Sequence, residues 1–339
     1  MPAGLGGAGW LAIVFETVMG TYLDPTTVGT VWVPILDESL TYNEDKYYSP
    51  QIRQSSIVME QKQSYYHVAG DVRLEVDPTF LPYFLYCSRH TPDKAGDGTP
   101  YVYNFTPSDD AAAQIVAGSS GQKTASITIV RNDVGFGYAG CVLGGYTFAV
   151  EDGILICTMN VLGLSEETPA DLGSPAWVAP NILGADSHSI YTDTAGVAPA
   201  FAGAVETNFN GFEFAVDFNA EAQNRIRADR EASYISYGET VPTLTTELDF
   251  ESKTEYDNFK NSAKKAVRFQ SIGDGLAWGA TQDAIRIDMF NMSYDEYSVN
   301  LGGMSDLVMA GVTMRALGIA AGVPYRITVK NTTDIAGAS

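Results

Sequence analysis

The chain has 339 residues, 45% of them hydrophobic and 18% charged, a composition that excludes a disordered chain and leaves room for two ordinary domains or one large β domain. Acids outnumber bases 41 to 20, for a net charge of −21, and the excess is spread evenly, net −11 over residues 1–170 and −10 over residues 171–339. Such a surface repels phosphates and argues against nucleic-acid capture, while three cysteines without CxxC spacing argue against a disulfide scaffold or a zinc site and for buried free thiols.

Residues 1–9, rich in Gly and Ala, read as a flexible arm. Trp10 to Phe15 is an apolar strand, too short to span a bilayer and with no Lys or Arg before it, so it is neither a signal peptide nor a membrane helix. A Gly20-Thr21 turn, a Pro25 loop and a second strand from Val31 to Leu36 follow. After Leu40–Tyr42 comes a polar segment, Asn43 to Ser64, with Lys46, Arg53 and Lys62, expected to be a long functional or disordered loop.

Tyr65 to Arg89 is the stretch around which the rest is arranged. Val68, Val72, Leu74 and Val76 alternate with His67, Asp71, Arg73 and Glu75, which predicts a strand with one face buried and one wet. Asp77-Pro78 ends it, and Phe80, Leu81, Phe84 and Leu85 recur at helical spacing. A loop over Thr91–Pro100, short strands at Tyr101–Phe105 and Thr124–Val130, and a hairpin over Tyr138–Leu162 turning at Glu151-Asp152-Gly153 complete the first half. Ser165 to Pro180, with three prolines, is a connector.

The second half repeats this order. Phe212–Phe218 is an alternating strand, and Asn219–Glu239 is polar and carries Arg225, Arg227 and Arg230. Val241–Phe250 then sets Leu244, Leu248 and Phe250 on one face against Thr243, Thr245, Glu247 and Asp249 on the other. A helix over Ser252–Ala263 is predicted to open with the capping box Ser252-x-x-Glu255 and to present Tyr256, Phe259 and Ala263 on one side. An offset of 174 sets Leu74 on Leu248, Val76 on Phe250, Leu85 on Phe259 and Leu40 on Phe214. The expected domains are 10–165 and 191–332, joined by 166–190 and ending in a flexible tail, 333–339.

Little in the chain suits catalysis. There are three histidines, His67, His90 and His188, and the adjacent residues of Asp186-Ser187-His188 cannot converge as a triad. Asp93 to Gly98 lacks the spaced acids of a calcium loop, and no glycine-rich phosphate loop follows a strand. No enzyme, cofactor or metal is expected. The aromatic content of 19 Tyr, 15 Phe and 4 Trp admits a carbohydrate-binding or adhesive β-sandwich on a virion or cell surface as an alternative, though half-buried strands account for it more simply.

The opening, with Glu16, Thr17, Gly20, Thr21, Pro25, Val33, Pro34, Glu38, Ser39 and Leu40 in an E-T-x-x-G-T, Pro-Thr and V-P-x-x-x-E-S-L arrangement, resembles the start of siphophage tail tube proteins. VAGDVRLEVDP, Val68 to Pro78, looks like that family's strand and helix start, whereas Val241–Phe250 keeps the alternation without the Gly or the Asp-Pro. The resemblance implies a mainly β fold with flanking helices (α+β): tandem tail-tube-type β-sandwich domains whose inner sheets form a ring-shaped β-barrel on oligomerisation.

It further implies a structural virion protein that self-assembles into stacked rings, three copies per ring if the chain is duplicated and six otherwise. On that reading Asp71, Arg73, Glu75, Asp77, Thr243, Thr245, Glu247 and Asp249 face an acidic lumen. Lys46, Arg53, Lys62, Arg225, Arg227 and Arg230 would meet acids of the adjacent ring. Tail tip and tail terminator proteins are the implied partners. Tape measure protein and DNA would pass through without specific binding, no membrane being involved, in a virion tail assembled in the host bacterial cytoplasm.

Overall fold

Polar and apolar residues that alternate between Gly, Pro and Asp turns form strands, and the computed structural model of this chain consists almost entirely of them. It describes residues 9–49, 60–95, 98–108, 122–197, 199–226, 229–273, 278–279, 283–300, 307–318 and 322–335. The expected N-terminal arm lies outside the described residues except for Gly9.

In the first half the strands are β1 (Trp10–Phe15), β2 (Val31–Val33), β3 (Asp37–Glu38), β4 (Thr41–Tyr48) and β5 (Gln61–Glu75), then helix α1 (Leu81–Tyr86). After it come β6 (His90–Ala95), β7 (Tyr101–Pro107), β8 (Ala125–Arg131), β9 (Val134–Glu151), β10 (Ile154–Gly163) and β11 (Ser165–Glu167). The second half holds β12 (His188–Thr194), β13 (Glu213–Asp217), β14 (Glu221–Gln223), β15 (Tyr234–Ser236) and β16 (Val241–Asp249). Helix α2 (Thr254–Lys260), β17 (Lys264–Ile272), β18 (Ala284–Asn300), β19 (Met309–Ala316) and β20 (Tyr325–Asn331) follow. Neither helix is long enough to cross a membrane.

One antiparallel run of strands spans both halves in the order β4–β5–β10–β9–β13–β16–β19–β18, with β3 beside β4 on the same edge of β5. It does not close on itself within the chain. Further strands flank it: β2–β1–β8–β9–β11 in the first half, and β12–β17–β18–β20 in the second, continued by β7–β6 of the first. Strands β9 and β18 belong to both arrangements. β9 changes partner near Gly140, whose φ of 65° a side chain would strain.

The two halves share backbone detail. Thr41 stands opposite Ala69 and Tyr42 opposite Val68, as Ala215 stands opposite Thr243 and Val216 opposite Pro242, each residue displaced by 174. Leu36 N donates to Arg73 O (2.8 Å) and Asn210 N to Glu247 O (2.8 Å), again 174 apart. Strand β9 has two irregularities, one where Cys141 and Tyr138 bracket the shift against β8 and one at Gly144 against β10. β18 has them where Met292 and Met289 bracket the shift against β17 and at Asp295 against β19, 151 positions later each time.

Packing follows the alternation. Val68, Val72 and Leu74 of β5, Phe148 of β9, Phe214 of β13, Leu244 and Leu248 of β16 and Val312 of β19 are buried in one core that runs through both halves. All six residues of α1 are buried, and Tyr83 and Tyr86 meet Phe15 at 5.5 and 5.9 Å. The cysteines are buried and free, and burial pushes their thiols up. Glu16, just after β1, is buried too. Its carboxylate accepts from Gly20 N (2.9 Å), Thr124 Oγ1 (2.9 Å), Ser126 Oγ (2.8 Å) and Gly140 N (2.8 Å), so the E-T-x-x-G-T segment ties β1 to the bend of β9.

Several expectations are corrected. Asn43–Ser64 is not a loop throughout: Asn43–Tyr48 and Gln61–Ser64 are the arms of the β4–β5 hairpin, with residues 50–59 outside the described residues. Asn219–Glu239 likewise contains the β14–β15 pair. Pro78 to Phe80 form a turn, because Asp77 Oδ1 accepts from Thr79 N (2.7 Å) and Asp77 O from Leu81 N (3.0 Å), and Pro82 stands in the first turn of α1 instead. The capping box of α2 does not form. Lys253 is the N-cap, Ser252 Oγ bonds Thr254, and Glu255 is drawn away to Lys265 (2.6 Å) and Tyr294.

The C-terminal tail is held as far as it is described. Tyr103 Oη donates to Thr333 O (3.0 Å) and accepts from Ile335 N (3.0 Å), and Ile335 is buried. A first-half strand also crosses over: β7 pairs with β20, setting Phe105 opposite Ile327.

Candidate functional site

Directly opposed residues of antiparallel strands project from the same face. Arg73 is opposite Thr158, Thr158 opposite Thr147, Thr147 opposite Ala215, Ala215 opposite Thr243, and Thr243 opposite Arg315. The next row runs Glu75, Ile156, Ala149, Glu213, Thr245, Thr313 and Glu296. On the other side Asp71, Asn160, Gly145, Asp217 and Val241 align. The wet sides of β5 and β16, more than 160 residues apart in the chain, are therefore one surface.

Seven of the eight residues expected on this face are on it. Asp71, Thr245 and Glu247 are exposed, and Arg73, Glu75, Thr243 and Asp249 are half-buried. Asp77 is not, and its assignment is corrected: it is 3% exposed, beyond the end of β5, with its carboxylate used by the Thr79 turn and by Asn181 N (2.7 Å). Asp71, Thr147, Thr158, Asn160, Ala215 and Thr243 line one recess in the face.

Its charge is acidic. Glu213 and Asp217 of β13, Glu151 at the end of β9, and Glu296 of β18 add to Asp71, Glu75, Glu247 and Asp249, against Arg73 and Arg315. Arg73 is neutralised by Asp37 (3.5 Å) and Glu151, and Arg315 by Asp295 (3.3 Å). Asn160 Nδ2 donates to Asp71 Oδ1 (3.1 Å) and Asn210 Nδ2 to Asp249 Oδ1 (2.6 Å). Among the described residues no ion pair reaches Glu75, Glu213, Asp217 or Glu247. A polyanion brought against such a wall meets carboxylates and hydroxyls without a free cationic row.

Glu213, Asp217, Thr158 and Asn160 were missed from sequence. The first two flank Phe214 and Val216 and were readable from the alternation of Phe212–Phe218. Thr158 and Asn160 sit in ILICTMNVL, whose apolar density hides the wet side of β10.

The basic residues of the two polar segments fare differently. Lys46 is exposed on β4, Lys62 is exposed 3.7 Å from Glu60, and Arg225 lies over the Tyr234 ring at 4.9 Å. Arg230 has partners within the chain: its guanidinium pairs with Glu44 and lies 3.5 Å from Tyr42 Oη, and its carbonyl accepts from Tyr66 N (2.9 Å). Arg53 and Arg227 lie outside the described residues.

The long run of strands ends in two edges. Among the described residues, β3 and β4 at one end pair with no strand but β5, and Leu40 on their outer side has its N–H held by Glu38 Oε2 (3.1 Å) and its carbonyl by Arg131 Nη2 (2.6 Å) and Tyr138 Oη (3.1 Å). At the other end, among the described residues, Tyr294–Asn300 of β18 pairs with no strand but β19. Strand edges of this kind can accept another strand.

A family model described as phage tail tube protein matches residues 9–315 of the chain. The comparison with curated proteins finds no match.

Proposed function

We propose a conduit role for this chain, which belongs to the phage tail tube protein family and is a structural subunit of the tail tube. Copies join into a ring, the acidic face turns inward, and rings stack into a tube through which DNA moves during ejection. The observation that carries this reading is the single wet surface assembled from Asp71, Arg73, Glu75, Thr243, Thr245, Glu247 and Asp249 of both halves, with Glu213 and Asp217 between them. Each phosphate contact would retard passage of DNA, and a wall rich in carboxylates, with its two arginines ion-paired, disfavours such contacts.

The recurring offsets of 174 and 151 support a duplicated chain, with one repeat in 10–165, a connector, 166–190, and a second repeat in 191–332. Two repeats per chain correspond to three copies per ring. Stacked rings of like charge repel one another. Lys46, Lys62 and Arg225, with Arg53 and Arg227, would offset that repulsion against acids of the next ring, whereas Arg230 serves the subunit internally. The β4–β5 hairpin extends past the end of β10 and is the reaching element. Tail tip and terminator proteins would close the two ends, with tape measure protein inside during assembly in the host bacterial cytoplasm.

Electron microscopy of the purified protein over a range of salt tests the reading. Rings or hollow tubes are expected, and a monomer persisting at high concentration in every condition would overturn it.

A further inference from the structure

Strands β17, β18 and β20 turn Val267, Phe269, Ile285, Ile287, Tyr325 and Ile327 into the core, and the alternate positions carry the opposite chemistry. Across β12, β17, β18 and β20 one row sets Tyr191, Arg268, Asp288 and Arg326 directly opposite one another, and the next sets Ser189, Gln270, Arg286 and Thr328. In a chain of net charge −21 this face gathers three arginines around one fully buried carboxylate, Asp288. Arg268 binds both its oxygens, with Nη2 at 3.2 Å from Oδ2, and Arg326 Nη2 reaches the same Oδ2 at 3.1 Å. Arg286 forms no ion pair among the described residues, and its Nη2 donates to Gln270 Oε1 (3.2 Å).

Aromatic rings hold two of the guanidiniums. Arg286 lies 3.6 Å over the Trp278 ring and Arg268 4.2 Å over the Phe201 ring, and because the donors lie in the guanidinium plane, stacking consumes none of them. Among the described residues the Nε atoms of Arg286 and Arg326 are buried without a hydrogen-bond partner, a costly state for a charged donor. Burial, then the neighbouring Arg268, and further Arg326, lower Arg286 from the ordinary 12.5 to about 10, and Asp288 opposes them only in part. Lys330, which donates to Trp278 O, lies over the same ring at 4.9 Å. Even without it, three guanidiniums on one carboxylate leave two positive charges over, at a place open to solvent along Arg326, whose side chain is 41% exposed. We propose that this face binds a dianionic tetrahedral oxyanion of the phosphate or sulfate class, held by Arg286 and Arg326 beside Asp288. A dianion cancels the surplus, whereas a carboxylate cancels half of it. A phosphodiester carries a single charge per phosphate, so DNA is the poorer ligand. The site is also separate from the acidic face, whose rows run through β5, β10, β9, β13 and β16. Bound there, the anion braces β18 against β20.

Calorimetric titration of the purified chain with sulfate, inorganic phosphate and acetate tests the site, at about pH 8, where phosphate is dianionic, and at an ionic strength held fixed with chloride. One saturable site per chain is expected for sulfate and for phosphate, with acetate about tenfold weaker or more, and the melting temperature should rise with sulfate along the same isotherm. Arg286→Gln and Arg326→Gln should each weaken sulfate about tenfold or more. Lys260→Gln, which removes an exposed base at the end of α2, should leave its affinity unchanged. Glycerol 3-phosphate separates the sources: binding as tight as that of inorganic phosphate assigns the anion to a phosphorylated molecule, weaker binding assigns it to the free ion, and either supports the site. No saturable sulfate binding, or acetate bound as tightly as sulfate, overturns the proposal, as does a sulfate affinity that both arginine variants leave unchanged. Should a variant fail to fold, the titrations of the unsubstituted chain decide alone.

Discussion

Replacing Glu16 by glutamine changes no volume and removes one charge, so its effect is set by hydrogen bonds alone. Oε1 accepts from Gly140 N and Ser126 Oγ, and Oε2 from Gly20 N and Thr124 Oγ1. A glutamine presents an NH2 in place of one oxygen, whichever way it turns. The serine or threonine hydroxyl on that side can rotate to accept, but the backbone N–H cannot. One orphaned buried N–H costs about 1–3 kcal/mol. The two bonds that survive become neutral and lose roughly 1 kcal/mol each. The lower desolvation cost of an uncharged side chain returns part of this, leaving a net loss of about 3 kcal/mol. Urea denaturation of the unassembled subunit measures it as a lower midpoint at unchanged slope. A loss below about 1 kcal/mol would mean that the carboxylate does not hold the β9 bend, and the reasoning would fail.

Three other outcomes are expected. Glu75→Lys with Glu247→Lys adds bases to the wet face without touching the core, and should leave ring formation intact while slowing DNA ejection in a dye-release assay; an unchanged rate places those side chains away from the DNA path. Joining Tyr48 to Gln61 by a two-residue turn should favour single rings over long tubes in micrographs, and normal tubes would remove the stacking role of the hairpin. Burial lowers His90 from the ordinary 6.5 to about 3, so its neutral form supports the fold fully above pH 6.5 and that support is lost as pH falls, about 2 kcal/mol by pH 5. His90→Gln should flatten the pH dependence of the melting temperature between 7 and 5, and an unaltered slope would assign the acid sensitivity elsewhere.

What could be read from the sequence was whatever repeats locally with one wet and one dry side. β5 and β16 show this, as does the placement of α1 after the Asp77 turn. The β4–β5 hairpin arms could not be read as strands, because TYNEDKYY and the first residues of β5 are wet on both faces and leave no period to detect. β9 and β10 fail in the opposite way: buried on most sides, they show no alternation, so the central strip of the candidate face was invisible. Asp77 looked like the next wet residue after Glu75, and only the turn geometry shows why it is buried. The ties between halves, β9 with β13 and β7 with β20, are pairings over long separations that no local pattern encodes.

The β7–β20 pairing has a consequence for how the chain is made. Phe105 is synthesised 222 residues before its partner Ile327, and closing so large a loop is entropically slow. Until β20 is made, the edge of β7 that it fills is open, and so is the edge of β18 once that strand has been synthesised. β20 lies between the two and covers both, so a chain cut short before Tyr325 would carry two strand edges that the longer chain covers.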